Sequence, residues 1–206
     1  MANWKILADE LGSILRRYNG GKIYYYTEYL VGHGYVASEG TSDIQNFKKP
    51  IDRKRLPEWQ YRERAVSKFV QILLEFWYPP HSLLVPAPTS QPRHTTGWND
   101  RLDKAVYIVG RKRADVLVQP LIDIKDAMVS SHRGQGSRRF EDIRSNLVWL
   151  KGEGPLSRLD CNDIFIVDDV ITTGNHIRAF ADIISERYPS IPIHALVWGR
   201  STYVDM

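Results

Sequence analysis

Residues 164–174, IFIVDDVITTG, decide the fold of this 206-residue chain. Ile164, Phe165, Ile166 and Val167 form an unbroken apolar run, the pattern of a strand buried on both faces of a parallel sheet. Asp168 and Asp169 stand where that strand is expected to end, Val170 and Ile171 follow, and Thr172-Thr173-Gly174 opens a helix predicted from Asn175 to Tyr188. In an open α/β sheet the carboxyl ends of the strands border the ligand crevice. Hydroxyls and backbone N–H groups at a helix N-terminus hold anions, the helix dipole adds to this, and a glycine such as Gly174 lets the backbone come close. A carboxylate pair just upstream would repel such an anion unless it faced sugar hydroxyls or a cation carried by the ligand. A phosphorylated sugar meets all of these demands.

Outward from this stretch, apolar strands alternate with amphipathic helices. Trp4, Leu7, Ala8, Leu11, Ile14, Leu15 and Tyr18 recur at three- and four-residue spacings and predict a helix, stopped by Gly20-Gly21. Residues 22–31, rich in Tyr and β-branched side chains, predict a strand, and 32–57 a long loop with short pieces of structure. A helix is expected from Glu58 to Trp77, a short buried strand at Leu83-Leu84-Val85, and a loop over 86–92. Another helix over 99–113, a strand over 116–120 and a last strand from Ile193 to Trp198 complete the pattern. The polar, basic segment 130–139, SSHRGQGSRR, reads as a mobile loop. The whole indicates an α/β fold with a Rossmann-like parallel sheet.

Composition bounds the function classes. One cysteine, Cys161, excludes an intramolecular disulfide and a Cys-based metal cage, and a reducing cytoplasm is the expected compartment. No run reaches the ~20 apolar residues of a membrane helix, and the start of the chain lacks a signal-peptide pattern. The formal net charge of +4 suits an anionic small molecule or a nucleic acid alike.

The eleven residues of IFIVDDVITTG resemble the 5-phosphoribosyl-1-pyrophosphate (PRPP) motif of type I phosphoribosyltransferases: four apolar residues, two acids, two apolar residues and a Thr-Thr-Gly turn. The resemblance implies that Asp168 and Asp169 hold the ribose hydroxyls, act in catalysis and assist a Mg²⁺ ion bound chiefly by the substrate. It implies that Thr172, Thr173, Gly174 and the amide of Asn175 cradle the 5-phosphate. Residues 83–100, LLVPAPTSQPRHTTGWND, resemble the ComF-like branch of that family, in which the loop after the first core strand binds pyrophosphate through N–H groups. Prolines lack that donor, so Ala87, Thr89 and Ser90 are the expected suppliers. Arg93 is read either as a charge partner for the leaving group or as a solvated surface residue. Arg133, with His132, Gln135, Arg138, Arg139 and Asn146, falls in a segment similar to the loop that covers PRPP in these proteins.

The family resemblance divides the chain into an N-terminal elaboration, residues 1–80, acting as hood and weakly ComF-like at Phe47-Lys48-Lys49, and a phosphoribosyltransferase core, residues 81–206. The expected reaction transfers a 5-phosphoribosyl group to a nitrogen nucleophile, a nucleobase above all, with release of pyrophosphate. His94, His132 and His176 are the candidates for a general base on titration range alone. Two alternatives stand beside the enzyme: a PRPP or nucleotide sensor, and a ComF-like accessory protein in DNA uptake or phage defence. Nucleic acid remains a candidate partner, as does a second copy of the chain in a homodimer. ComF-like proteins often begin with a cysteine-rich zinc module, whereas Cys161 is the single cysteine here, a departure that leaves membership of the competence subgroup open and favours a diverged relative.

Overall fold

The computed structural model describes residues 4–31, 38–128, 139–150 and 161–202. Among them a central sheet has the order β1-β2-β8-β7-β3-β4, formed by β1 (Lys5–Ile6), β2 (Ile23–Leu30), β3 (Ser82–Pro86), β4 (Val116–Val118), β7 (Asp163–Ile171) and β8 (Ile193–Thr202). Every pairing in it is parallel except that of β1 with β2. A separate antiparallel pair joins β5 (Ile122–Ile124) to β6 (Leu147–Trp149). The α/β architecture with a mostly parallel sheet is therefore as expected. The long apolar runs are long because β7 and β8 are central and covered on both sides.

Among the described residues six helices surround the sheet: α1 (Glu10–Ser13), α2 (Glu39–Phe47), α3 (Trp59–Leu74), α4 (Arg101–Lys112), α5 (Phe140–Asn146) and α6 (Asn175–Arg187). The crossover from β3 to β4 steps toward one edge of the sheet, and that from β7 to β8 toward the other. Such crossovers are right-handed, so α4 and α6 lie on opposite faces. The packing agrees: α3 touches both α2 and α4, and α5 lies on α6. Between β7 and β3 the chain direction of the connections reverses, which opens a crevice beyond their carboxyl ends. Under the first helical group Trp198 stacks on Phe69 at 5.0 Å, with Phe47 edge-on to both.

Three elements differ from expectation. The helix expected over residues 4–18 is replaced by β1 and the single turn of α1. Lys5 and Ile6 pair with Tyr25 and Tyr24, the Leu7 amide donates to the Ile23 carbonyl at 2.9 Å, and the Trp4 indole donates to the Ile72 carbonyl at 3.2 Å. An open edge of β2 captures this segment, and Asp9 starts α1 only afterwards by accepting from the Gly12 amide. The expected loop over 32–57 contains α2, begun by Ser38, whose hydroxyl accepts from the Thr41 amide at 3.1 Å. A 3₁₀ turn follows at Ile51–Arg55. Finally, β7 does not stop at Val167 but pairs with β8 as far as Ile171 opposite Arg200. The two aspartates thus belong to the strand itself.

Candidate functional site

The cavity beyond β3 and β7 is built around the turn from β7 into α6. Gly174 caps α6 at φ 74, ψ −4, a left-handed conformation that side chains rarely adopt. A Cβ there would come within 2.5 Å of Ile14 Cδ1 and 2.6 Å of Leu11 Cδ1. Those side-chain ends would have to shift, whereas glycine takes this backbone without strain, and Thr172 and Thr173 stand exposed at the mouth of the helix. Thr172, Thr173, Gly174 and Asn175 all line the cavity, with Thr89 and Ser90 across from them on the loop after β3. The arrangement gives an anion-binding helix end facing a second polar loop.

Asp168 and Asp169 line the same cavity and are almost fully buried. Asp168 Oδ1 accepts from the Asp169 amide at 2.7 Å, and Oδ2 accepts from His176 Nδ1 at 3.2 Å. Asp169 Oδ1 faces Lys48 Nζ at 3.3 Å, and Oδ2 takes the Arg101 guanidinium through Nε at 3.1 Å and Nη2 at 2.5 Å. Burial by itself would raise the Asp169 pKa. The charges and hydrogen bonds of Lys48 and Arg101 outweigh it and hold the carboxyl well below the usual range. Asp169 is a permanent anion between two cations.

Both cations are positioned by one buried amide. Asn99 Oδ1 accepts from Arg62 Nη2 at 2.8 Å and from the Arg101 amide at 3.3 Å, while Asn99 Nδ2 donates to the Lys49 carbonyl at 2.9 Å. Arg62, 1% exposed, also binds Asp100 at 2.8 Å and lies 4.3 Å from the Trp59 ring. The end of α2, the start of α3 and the start of α4 are thereby tied together beside Asp169.

Other expected site residues are placed elsewhere. The Ala87 amide donates to the Val167 carbonyl at 2.9 Å, extending the sheet, so it offers nothing to a ligand. Arg93 is neither a surface residue nor a cavity residue. Its guanidinium pairs with Asp103, its amide donates to Asp123 at 3.0 Å, and the side chain is nearly buried beside Trp98. Ala87 fails as a donor because the sheet uses its amide, and Arg93 because its guanidinium is buried against Asp103 and Trp98, away from the cavity. Asn146 serves structure, exchanging hydrogen bonds with the Asp126 backbone. His94 is not among the cavity residues, whereas His176 is. Arg133, His132, Gln135 and Arg138 lie outside the described residues.

Arg101 was not anticipated from sequence, yet it leaves a trace there. A cation in the first turn of a helix opposes the dipole, so its presence after Asn99-Asp100 points to an anion held nearby. The acids, for their part, do not form a resident magnesium site. The oxygens of Asp169 face two protein cations, those of Asp168 already accept two hydrogen bonds, and Mg²⁺ demands a near-ideal octahedron of oxygens. Among the described residues no group of three or more His, Cys, Asp or Glu side chains is placed to hold a metal ion. None of the described helices is long and apolar enough to cross a membrane. Comparison with protein-family models and with curated proteins returns no match.

Proposed function

We propose that the protein binds PRPP in this cavity and transfers its 5-phosphoribosyl group to a nitrogen nucleophile, as a diverged type I phosphoribosyltransferase nearest to the ComF-like branch. One observation carries the reading: a left-handed glycine and two open threonines at the mouth of α6 share a cavity with two acids on the preceding strand, at the reversal point of a parallel sheet. In the reaction, the bond from ribose C1 to the diphosphate oxygen breaks and its electron pair leaves with pyrophosphate. The nitrogen lone pair forms the new bond to C1, and the nitrogen proton passes to solvent or to the departing diphosphate. The start of α6 holds the 5-phosphate, and Asp168, whose charge is not taken up by the Lys48–Arg101 pair, favours the positive charge that develops on the sugar. No step needs a metal held by the protein.

A second reading, a PRPP sensor without turnover, draws support from the engagement of both acids with protein donors. Pyrophosphate release from PRPP, measured with a panel of nucleobases and other nitrogen nucleophiles beside calorimetric binding, separates the two. Release that depends on an acceptor supports transfer. Binding without release for any acceptor replaces the enzyme by the sensor, and absence of both removes PRPP from the cavity. A Thr172→Val/Thr173→Val double variant is expected to weaken PRPP about tenfold or more through lost hydrogen bonds to the phosphate.

A further inference from the structure

Asp169 binds Lys48 and Arg101 where a ligand acid would be expected to keep its oxygens available. Both cations line the ligand cavity and keep some exposure, 21% and 12% of their side chains against 6% for Asp169. Asp168, which also lines the cavity, is engaged by the Asp169 amide and His176, and the charges of Lys48 and Arg101 together therefore outweigh that of Asp169. A divalent cation brought to this carboxylate would meet both at contact distance, where like charges repel strongly in a poorly hydrated site. An anion would meet two charge-assisted donors.

The scaffold behind the pair argues that it is a ligand feature. An ion pair that only held the fold together would be replaceable by apolar packing at little cost. Here Arg62 is buried with its Nε unpartnered, and Arg101 stands against the α4 dipole. Asn99 then uses two hydrogen bonds to fix the backbone beside both cations and a third to hold the Arg62 guanidinium. These are unfavourable placements maintained around one point of the cavity.

We propose that Lys48 and Arg101, held ready by Asp169, are the receptor for the ligand's second anionic group and that this receptor works without a divalent cation. The identification of that group as the diphosphate of PRPP rests on the phosphoribosyl reading. The 5-phosphate and the diphosphate then have separate protein partners: the start of α6 for the first, the two cations for the second. The cavity consequently selects sugar phosphates charged at both ends over monophosphates.

The experiment titrates the full chain with inorganic pyrophosphate, ribose 5-phosphate and PRPP, each in EDTA and again in magnesium. Pyrophosphate and PRPP are expected to bind in EDTA within about threefold of their affinity in magnesium. Lys48→Met is expected to weaken both about tenfold while ribose 5-phosphate changes less than about twofold, and Lys48→Arg to restore most of the loss. Arg101→Gln provides an independent variant with the same expected pattern, and an unfolding curve confirms that each variant is folded. Binding of PRPP only in magnesium overturns the metal-free receptor and leaves the phosphoribosyl reading intact. Equal weakening of ribose 5-phosphate and pyrophosphate in Lys48→Met overturns the separate subsite. Pyrophosphate binding in EDTA with no binding of either sugar phosphate keeps the receptor and removes the phosphoribosyl reading. No binding of any probe removes both.

Discussion

Gly174 combines two constraints in one residue. Its positive φ strains any side chain, and the Leu11 and Ile14 side-chain ends would have to move aside for one. A Gly174→Ala substitution is therefore expected to destabilise the protein by about 1–3 kcal/mol, the usual cost of a strained backbone position. The strain would also tilt the first amides of α6, so binding of a sugar phosphate should fall further than stability does. Urea unfolding and ribose 5-phosphate titration on the same variant check both effects. A variant as stable as the parent would mean that the positive φ imposes no strain at this position. At the same scale, Asp169 shows why a motif alone misleads about chemistry. Its position matches the acid pair of the resemblance, while its charge belongs to Lys48 and Arg101 from two other elements.

Strands β7 and β8 are linked at their starts by His194. Its Nδ1 accepts from the Lys22 amide at 3.0 Å, its Nε2 donates to Asp163 at 3.0 Å, and its ring stacks on Phe165. Burial lowers its pKa from the ordinary 6.5, and Asp163 only partly opposes this. The unfolded chain thus takes up a proton that the folded protein resists. The histidine's contribution to stability is complete above pH 6.5 and is lost progressively as pH falls from there toward the lowered folded value. Urea midpoints at several pH values should show this loss in the parent, and a smaller one in His194→Gln. An identical slope in both proteins would remove His194 as the source. Legibility also divides at the level of elements. The strands β3, β7 and β8 and the helices α3, α4 and α6 could be read because their periodicity records burial on one or both faces. The first segment could not, because Trp4, Leu7 and Leu11 satisfy helical spacing equally well when a strand edge captures the chain. Helix α2 was hidden because only Thr41, Ile44 and Phe47 of its nine residues are buried, too few to announce a face. The acid–turn–helix half of the site was legible from local sequence. The cationic half was not, since Lys48, Arg62, Asn99 and Arg101 meet only after α2, α3 and α4 have packed.

Across the whole molecule, the N-terminal third is built into the same sheet as the proposed core. Strand β2 pairs in parallel with β8 from Ile23 opposite Ala195 to Leu30 opposite Thr202, and Tyr25 and Tyr29 are buried in the shared core. Deletion of residues 1–31 would strip one whole edge of β8 and expose its hydrogen-bonding groups to water or to other chains. Such a truncated protein is expected to aggregate or to lose its cooperative unfolding transition, as size-exclusion chromatography and circular dichroism would show. A soluble, cooperatively folding 32–206 fragment would count against a shared core. The link through Asn99 extends this integration from the sheet to the site. Because one amide joins the starts of α3 and α4 to the end of α2, an anion seated on Lys48 and Arg101 would stiffen backbone well away from its own contacts. Slowed amide hydrogen exchange at the first turns of α3 and α4 on addition of pyrophosphate would be the sign of that coupling, and Asn99→Ala should abolish it. A cavity wired to the helical layer in this way can report its own occupancy to whatever reads that face of the protein, with or without turnover.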